Sequence, residues 1–353
     1  MTPEPEQGPI LIWGAGAIGG CLGAYLIRAG HDVTFVDVDA GHVAAIRETG
    51  LKIVGPIEEF TVQAPAFTPD EMRDATLPRL WDTVFLCTKA QDTRAAGEAL
   101  ARNLAPEGAV VSVQNGLNPL ILGEILGKER VLGSFVNFGA DYLEPGTVTY
   151  GGRGAVVIGE QDGQLTKRAQ RLHALLRQFD PEAVLSPNIM GYLWSKLGYG
   201  ALLFATALTN DGIADALARV EDRGLYIELG REVLRVAAAA GVRPEAFNGF
   251  DPSAFVPGAS TAQAQASLDE MVTFNRRSAK THSGIWRDLA VRRRRTEVDA
   301  QLGWVLHFGQ LHGVRTPRTA RLIELIHDIE DGRRALGRDN LGELRPLLLQ
   351  AQA

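Results

Sequence analysis

ILIWGAGAIGGCLGAYLIRAGHDVTFVD, residues 10 to 37, reads as strand, glycine loop, helix and strand. ILIW (10–13) runs directly into Gly14-Ala15-Gly16-Ala17-Ile18-Gly19-Gly20, an apolar helical run follows, and DVTFVD (32–37) closes on an acid. Gly14 permits the tight turn, Gly16 has no side chain to block a pyrophosphate, and Gly19 lets the helix approach the strand. The helix N-terminus then offers unpaired N–H groups and a partial positive charge to an anion. A GxGxxG pattern alone says little, but with both strands, the helix and the terminal acid in order it specifies a dinucleotide site through Gly14, Ala15, Gly16, Ala17, Ile18 and Gly19. Asp37 lies eighteen residues beyond Gly19. A carboxylate there accepts hydrogen bonds from the adenosine ribose and repels a 2′-phosphate. With no arginine between Asp37 and Arg47, NAD is favoured, and NADP stays open. The competing reading is that Asp37 merely caps the next helix, since Asp is a preferred N-cap.

Outward from this unit, DTVFLCT (82–88), AVVSVQ (109–114) and RVLGSFV (130–136) alternate with amphipathic stretches, as strands of a parallel sheet do. GTVTYGGRGAVVIG (146–159) alternates and turns on glycines, which predicts a hairpin closing the sheet. Beyond residue 185 the character changes. Residues 189–208, 224–240 and 291–311 carry apolar residues at three and four spacing, and 251–265, rich in Pro, Gly, Ser and Ala, reads as a loop. The expectation is an α/β Rossmann domain over 1–187, binding a dinucleotide, and a mostly α-helical substrate and catalytic domain over 188–353.

Length and composition agree with two globular cores: 353 residues, 45% hydrophobic and 22% charged. A net charge of −6 gives no basic field for nucleic acid. MTPEPEQGP lacks the flank and apolar core of a signal peptide, and no segment runs apolar for a membrane span, so a cytoplasmic protein is expected with no membrane partner. Cys21 and Cys87 belong to one nucleotide-binding unit and exclude a disulfide framework. The seven histidines form no HxxxH pair, so no metal site is expected. Arg292 to Arg295 read as a solvated helix face, and Trp194, Trp286 and Trp304 as core aromatics.

Further motifs follow in order: VFLCTKAQDT with Lys89, VVSVQNGLNP with Asn115, the PGTVTYGGRG stretch, LWSKLGYG with Lys196, TEVDAQLG with Glu297, and HGVRTPRTARL. Together with the glycine loop they span nearly the whole chain and resemble the ketopantoate reductase family, the 2-dehydropantoate 2-reductases and related 2-hydroxyacid dehydrogenases. The resemblance implies that Lys196 is the general acid protonating a carbonyl oxygen as hydride arrives, and the base in reverse. It further implies that Asn115 orients the nicotinamide and the substrate oxygen, that Lys89 sits near the cofactor, and that Glu297 bonds a polar substrate group or steadies Lys196. Ser283, within Lys280-Thr281-His282-Ser283-Gly284-Ile285-Trp286-Arg287-Asp288, would help hold a substrate carboxylate. Read singly, each residue has a plain alternative: lysines snorkel, Asn-Gly pairs turn, and a Glu after Thr lies on the surface.

The chain departs from these relatives where they carry asparagines four and eight positions after the lysine. Here those positions are Gly200 and Phe204, on the helical face of Lys196. Two amide donors are replaced by a space and an aromatic wall, and a site without its hydrogen-bonding groups discriminates worse for a hydroxylated substrate, often by about 10⁴-fold. The expected enzyme is an NAD(P)-dependent oxidoreductase acting on a 2-oxo or 2-hydroxy acid, or a related ketone or alcohol, bulkier or less hydroxylated than ketopantoate. Its rivals are an authentic 2-dehydropantoate 2-reductase, an amine-dependent amino- or imino-acid reductase, and a non-catalytic dinucleotide-sensing protein. A helical domain of this size also allows a homodimer.

Overall fold

The computed structural model describes residues 8–74, 80–247, 249–277 and 281–345. The chain forms two compact units, Met1–Ile189 and Met190–Ala353. The opening residues 1–7 and Lys280 lie outside the described residues.

The first unit is built on β1 (Ile10–Trp13), α1 (Ala17–Arg28), β2 (Val33–Val36), α2 (Ala40–Thr49), β3 (Leu51–Val54), β4 (Phe60–Val62), β5 (Ala66–Phe67) and α3 (Pro69–Asp74). It continues through β6 (Trp81–Leu86), α4 (Thr93–Leu100), β7 (Leu104–Ser112), α5 (Asn118–Leu126), β8 (Val131–Val136), β9 (Gly139–Glu144), β10 (Thr147–Gly152), β11 (Val156–Glu160), α6 (Lys167–Phe179) and β12 (Val184–Leu185). The main sheet has the order β12-β11-β8-β7-β6-β1-β2-β5. From β5 to β8 every pair is parallel, and β11 joins β8 antiparallel. Alternation along β1 divides the core: Ile10 and Ile12 face α1 and α6, while Leu11 and Trp13 face α4 and α5. Both faces of the sheet are therefore covered, which is why its strands read as continuous apolar runs.

The expected hairpin over 146–159 does not form. Its two halves are strands, but β10 pairs with β9 and β3 in a separate sheet of order β4-β3-β10-β9, while β11 joins the main sheet. The crossing happens at Gly154, where a Cβ would overlap the Asn137 carbonyl, and the Asn137 N–H bonds the Ala155 carbonyl at 2.8 Å. Alternation and glycines signal strands and turns; they do not say which neighbour a strand will pair with.

The second unit is helical: α7 (Ile189–Thr206), α8 (Ile213–Ala218), α9 (Val220–Ala239), α10 (Thr261–Arg276), α11 (Gly284–Trp286), α12 (Val298–Leu311), α13 (Pro317–Glu330) and α14 (Asp339–Gly342). Among the described residues no helix is long and apolar enough to cross a membrane. Two boundaries differ from the sequence reading. The loop ends at Ser260, because Ser260 and Gln263 form a reciprocal capping box that starts α10. The helix read from 291 starts only at Val298: residues 287–292 form a wide π turn, and Arg293 stands left-handed at φ 49°. The arginine run thus lies on a connection, not a helix face. Arg292 and Arg294 pair with the buried Asp288 at 3.1 and 2.9 Å, and Arg295 with Glu330 at 2.9 Å.

One buried carboxylate organises α9 against α13. Pro317 opens α13 and has no N–H to lose, and the next two N–H groups, of Arg318 and Thr319, donate to Glu232 at 3.2 and 2.7 Å. Burial pushes the Glu232 carboxyl above the ordinary glutamate value, so the folded chain holds its proton more tightly than the unfolded chain. That contribution is complete below the unfolded value of about 4.3 and is lost as pH rises through the elevated folded value. Glu232→Gln should flatten this acid-range slope in urea titrations. Glu232→Ala, which leaves two buried donors unpaired, should cost about 1–3 kcal/mol; an Ala variant as stable as the parent would contradict the assignment.

Candidate active site

Strand order in the main sheet reverses between β1 and β6, since β1 leads outward to β2 on one side and the chain returns to β6 on the other. Loops at such a reversal leave a crevice beyond the carboxyl ends of the strands. The loops after β2, β1, β6 and β7, neighbours in that order, carry Asp37, Gly14–Gly19, Lys89 and Asn115. These residues of the first unit are brought to one edge.

The glycine loop is tightly built. Gly14 has φ +101° and a Cβ there would lie 2.8 Å from the Cys87 and Thr88 backbone; a Cβ on Gly19 would overlap the Gly14 carbonyl. A Cβ on Gly16 would meet nothing within 4 Å, so this residue borders open space at the N-terminus of α1. The peptide between them is pinned on both sides. Ala15 N–H donates to Asp37 Oδ2 at 2.8 Å, and Ala15 carbonyl accepts from His42 Nε2 at 2.9 Å. His42 is fully buried, and its Nδ1 accepts the Gly146 N–H at 2.9 Å, which fixes the proton on Nε2.

Asp37 is not the helix cap. That role falls to Asp39, whose Oδ1 accepts the N–H groups of Gly41 and His42 at 2.9 and 3.1 Å. Tyr142 hydroxyl donates to Asp39 Oδ2 at 2.9 Å, and this bond together with the His42 N–H holds the Asp39 carboxyl below its ordinary value. Asp37 Oδ1 takes the Asp39 N–H at 3.0 Å, leaving further lone pairs on both oxygens. Open space at Gly16, unpaired N–H groups in the first turn of α1 and this half-buried carboxylate fit a dinucleotide: room for phosphate, donors for its charge and an acceptor for ribose.

A buried polar network joins the next two loops. Gln114 Nε2 donates to Thr93 Oγ1 at 2.8 Å and to Thr88 Oγ1 at 3.1 Å, and Gln114 Oε1 accepts from Ser112 Oγ at 3.1 Å. Thr93 Oγ1 lies 3.0 Å from Asn118 Oδ1, and Asn118 Nδ2 donates to the Asn115 carbonyl at 2.5 Å. Asn115 is half-buried before Gly116 at φ +92°, and Lys89 is exposed where a 3₁₀ turn begins. Gln114, Thr93, Asn118 and His42 were not singled out from sequence. The available signal was a set of amide and hydroxyl side chains at the ends of otherwise apolar runs. Both cysteines are free, and burial raises their thiols, Cys21 to about 12, so neither is an active nucleophile.

In the helical unit, Lys196 is half-buried on α7 between the buried Ser195 and Leu197. Gly200 follows one turn later, and a Cβ there would lie 3.5 Å from Gln301 Oε1 on α12. Phe204 has no accessible surface, so it is a core residue rather than a wall facing substrate. Trp194 meets Phe308 edge to face at 5.4 Å and is a core aromatic, whereas Trp304 and Trp286 are half-exposed, Trp286 lying against His282 at 4.0 Å. Since 194 pairs with 308 and 200 with 301, α7 and α12 run antiparallel. Glu297 is half-buried at the start of α12, and its carbonyl accepts the Gln301 N–H at 2.9 Å. Ser283 caps α11, its hydroxyl oxygen accepting the Trp286 N–H at 3.1 Å.

Against known proteins, the family described as Ketopantoate reductase PanE/ApbA matches residues 10–163, and the family of its C-terminal part matches 188–330. The chain is similar to the 2-dehydropantoate 2-reductase of Halobacterium salinarum, 30% identical over 325 residues, 90% of this chain and 97% of that protein. Among solved structures it is similar to a PanE/ApbA family ketopantoate reductase from Ralstonia eutropha JMP134, with TM-score 0.76, 26% identity, and coverage of 93% and 100%. A ternary structure of D-mandelate dehydrogenase with NADH and anilino(oxo)acetate shares the fold, with TM-score 0.79, 22% identity, and coverage of 92% and 98%.

The pinned Ala15 peptide makes a spectroscopic prediction. Imidazole ¹⁵N shifts of His42 should report the Nε2–H tautomer near neutral pH; an Nδ1–H tautomer would contradict the bridge. His42→Phe, which fills the site but strands a buried carbonyl and N–H, should lower stability by about 1–3 kcal/mol in chemical denaturation.

Proposed function

The chain belongs to the ketopantoate reductase family, and from that premise we propose how its residues divide the work of a nicotinamide-dependent oxidoreductase acting on CH–OH groups. The observation that carries the reading is the open space at Gly16, at the free end of α1 and beside Asp37. In this reading the loop of Gly14, Ala15, Gly16, Ala17, Ile18 and Gly19 binds the pyrophosphate with backbone N–H groups. Asp37 accepts the ribose hydroxyls through its remaining lone pairs, and its charge repels a 2′-phosphate, favouring NAD over NADP. Arg47, the next arginine along the chain, is committed elsewhere, to the Ala66 carbonyl at 2.6 Å and to Glu71 at 2.7 Å. Lys89 lies near the cofactor, and Asn115 orients the nicotinamide, with the Gln114–Thr93–Asn118 network holding both loops. Bound there, the nicotinamide supplies or accepts the hydride.

Lys196 Nζ gives its proton to the carbonyl oxygen and takes it back from the hydroxyl in the reverse direction. Glu297 bonds a polar group of the substrate or steadies Lys196. Ser283 has its hydroxyl oxygen engaged by a backbone donor, which leaves the hydroxyl hydrogen for a substrate carboxylate. The substrate is a 2-oxo or 2-hydroxy acid, or a related ketone or alcohol, bulkier or less hydroxylated than ketopantoate. Gly200 supplies the room, and Phe204 backs that face from the core. The enzyme is read as cytoplasmic, with a small-molecule substrate, no nucleic-acid partner and a homodimeric assembly. The 30% identity to a 2-dehydropantoate 2-reductase supports a second reading, in which ketopantoate itself is the substrate.

Steady-state assays with NADH and NADPH against a graded panel of 2-oxo acids and alcohols test this. NADH with a substrate other than ketopantoate should give the highest kcat/KM; ketopantoate with NADPH surpassing every other pair would select the second reading. Lys196→Ala should lower kcat by about 10²–10⁴-fold with cofactor affinity unchanged. An unaltered rate would remove Lys196 as the proton carrier, and absence of turnover with any pair would leave a dinucleotide-sensing protein.

A further inference from the structure

We propose that Gln301 is a specificity-determining residue that takes a hydrogen-bonding group in the tail of the substrate, an inference that rests on the oxidoreductase reading above. Gln301 sits on α12 one turn after Glu297, and Gly200 sits on α7 one turn after Lys196. These two faces meet over Gly200, where a Cβ would lie 3.5 Å from Gln301 Oε1. Any side chain at 200 would reach toward the amide, so the glycine keeps that space clear.

Gln301 is 8% exposed, and its Oε1 is the nearest atom that a Cβ at Gly200 would meet. A tail that enters the space at Gly200 displaces water from this amide, so a tail group that pairs with it keeps a hydrogen bond that a wholly apolar tail would lose. Its carbonyl and NH₂ can accept from or donate to a hydroxyl, carbonyl or amide. A charged group is less suited, because Glu297 already supplies a carboxylate one turn away. Lys196 fixes where the reacting carbon lies, and Gly200 is one helical turn, about 6 Å, further along α7. A group at Gly200 is therefore a tail group, a few bonds beyond the carbon that changes oxidation state. The inference narrows the substrate: its tail is polar at one point rather than wholly hydrocarbon.

The test is a matched pair of 2-oxo acids, both bulkier than ketopantoate, that differ by one tail hydroxyl. Each is assayed for kcat and KM with the parent, Gln301→Leu and Lys196→Ala proteins. The parent should favour the hydroxylated member by about tenfold in kcat/KM. Gln301→Leu should bring that ratio close to one by raising KM for the hydroxylated member alone, with the other member's kcat preserved as evidence of an intact fold. Gly200→Asn placed in the Gln301→Leu background returns an amide to the same space from α7 and should restore part of the preference. Lys196→Ala should depress both members alike. A ratio in Gln301→Leu equal to the parent's, or a parent with no preference, overturns the role of Gln301 while leaving the oxidoreductase reading intact. An unaffected Lys196→Ala would instead strike that reading.

Discussion

The peptide between Gly14 and Ala15, with the carbonyl that follows it, is held by two side chains from different parts of the chain: Asp37 takes the Ala15 N–H and His42 donates to the Ala15 carbonyl. Everything at the nucleotide end depends on this grip. A hydrogen bond to a charged acceptor contributes about 1.5–3 kcal/mol, more than a neutral loop contact, and a buried imidazole with one fixed tautomer allows only one orientation of the carbonyl. The loop is consequently formed before any ligand arrives, and little ordering cost is left to binding. His42 passes the constraint onward through Gly146 to the turn between β9 and β10, so the second sheet, which contributes no candidate site residue, acts as a brace for the first.

The proposed function separates two tasks along α7. Lys196 is there the proposed proton carrier, and the positions one and two turns beyond it are Gly200, where a Cβ would meet Gln301 Oε1 at 3.5 Å, and the core residue Phe204. The antiparallel α12 then brings Gln301 against Gly200. Chemistry on one turn and recognition on the next permits substrate range to change by substitutions that never touch the lysine, which is how a family can keep one reaction while its members differ in substrate.

The Rossmann order was legible because the glycine loop, the apolar runs and Asp37 are all local signals, read within about thirty residues. The roles proposed for Lys196, Asn115 and Lys89 rest on resemblance to a family, since each alone has an ordinary structural reading. What escaped depends on non-local pairing. The stretch 146–159 contains two genuine strands, but their partners are β9 and β8, and nothing within the stretch names them. Phe204 read as a surface wall because helical phase gives the direction of a side chain and not what packs over it. The start of α12 was displaced because the π turn over 287–292 and the left-handed Arg293 break an apolar period that continues on paper. His42, Gln114 and Thr93 form bonds across 104, 21 and 25 residues of sequence, beyond any window of pattern reading.

The central claim is direct hydride transfer between carbon atoms with the proton carried separately by Lys196. Reduction of the best 2-oxo acid with nicotinamide cofactor deuterated at the transferring carbon, followed by NMR of the product, tests it most directly. The account predicts one deuterium on the carbinol carbon of the 2-hydroxy acid and none on its hydroxyl after exchange with solvent. A product without carbon-bound deuterium would contradict it.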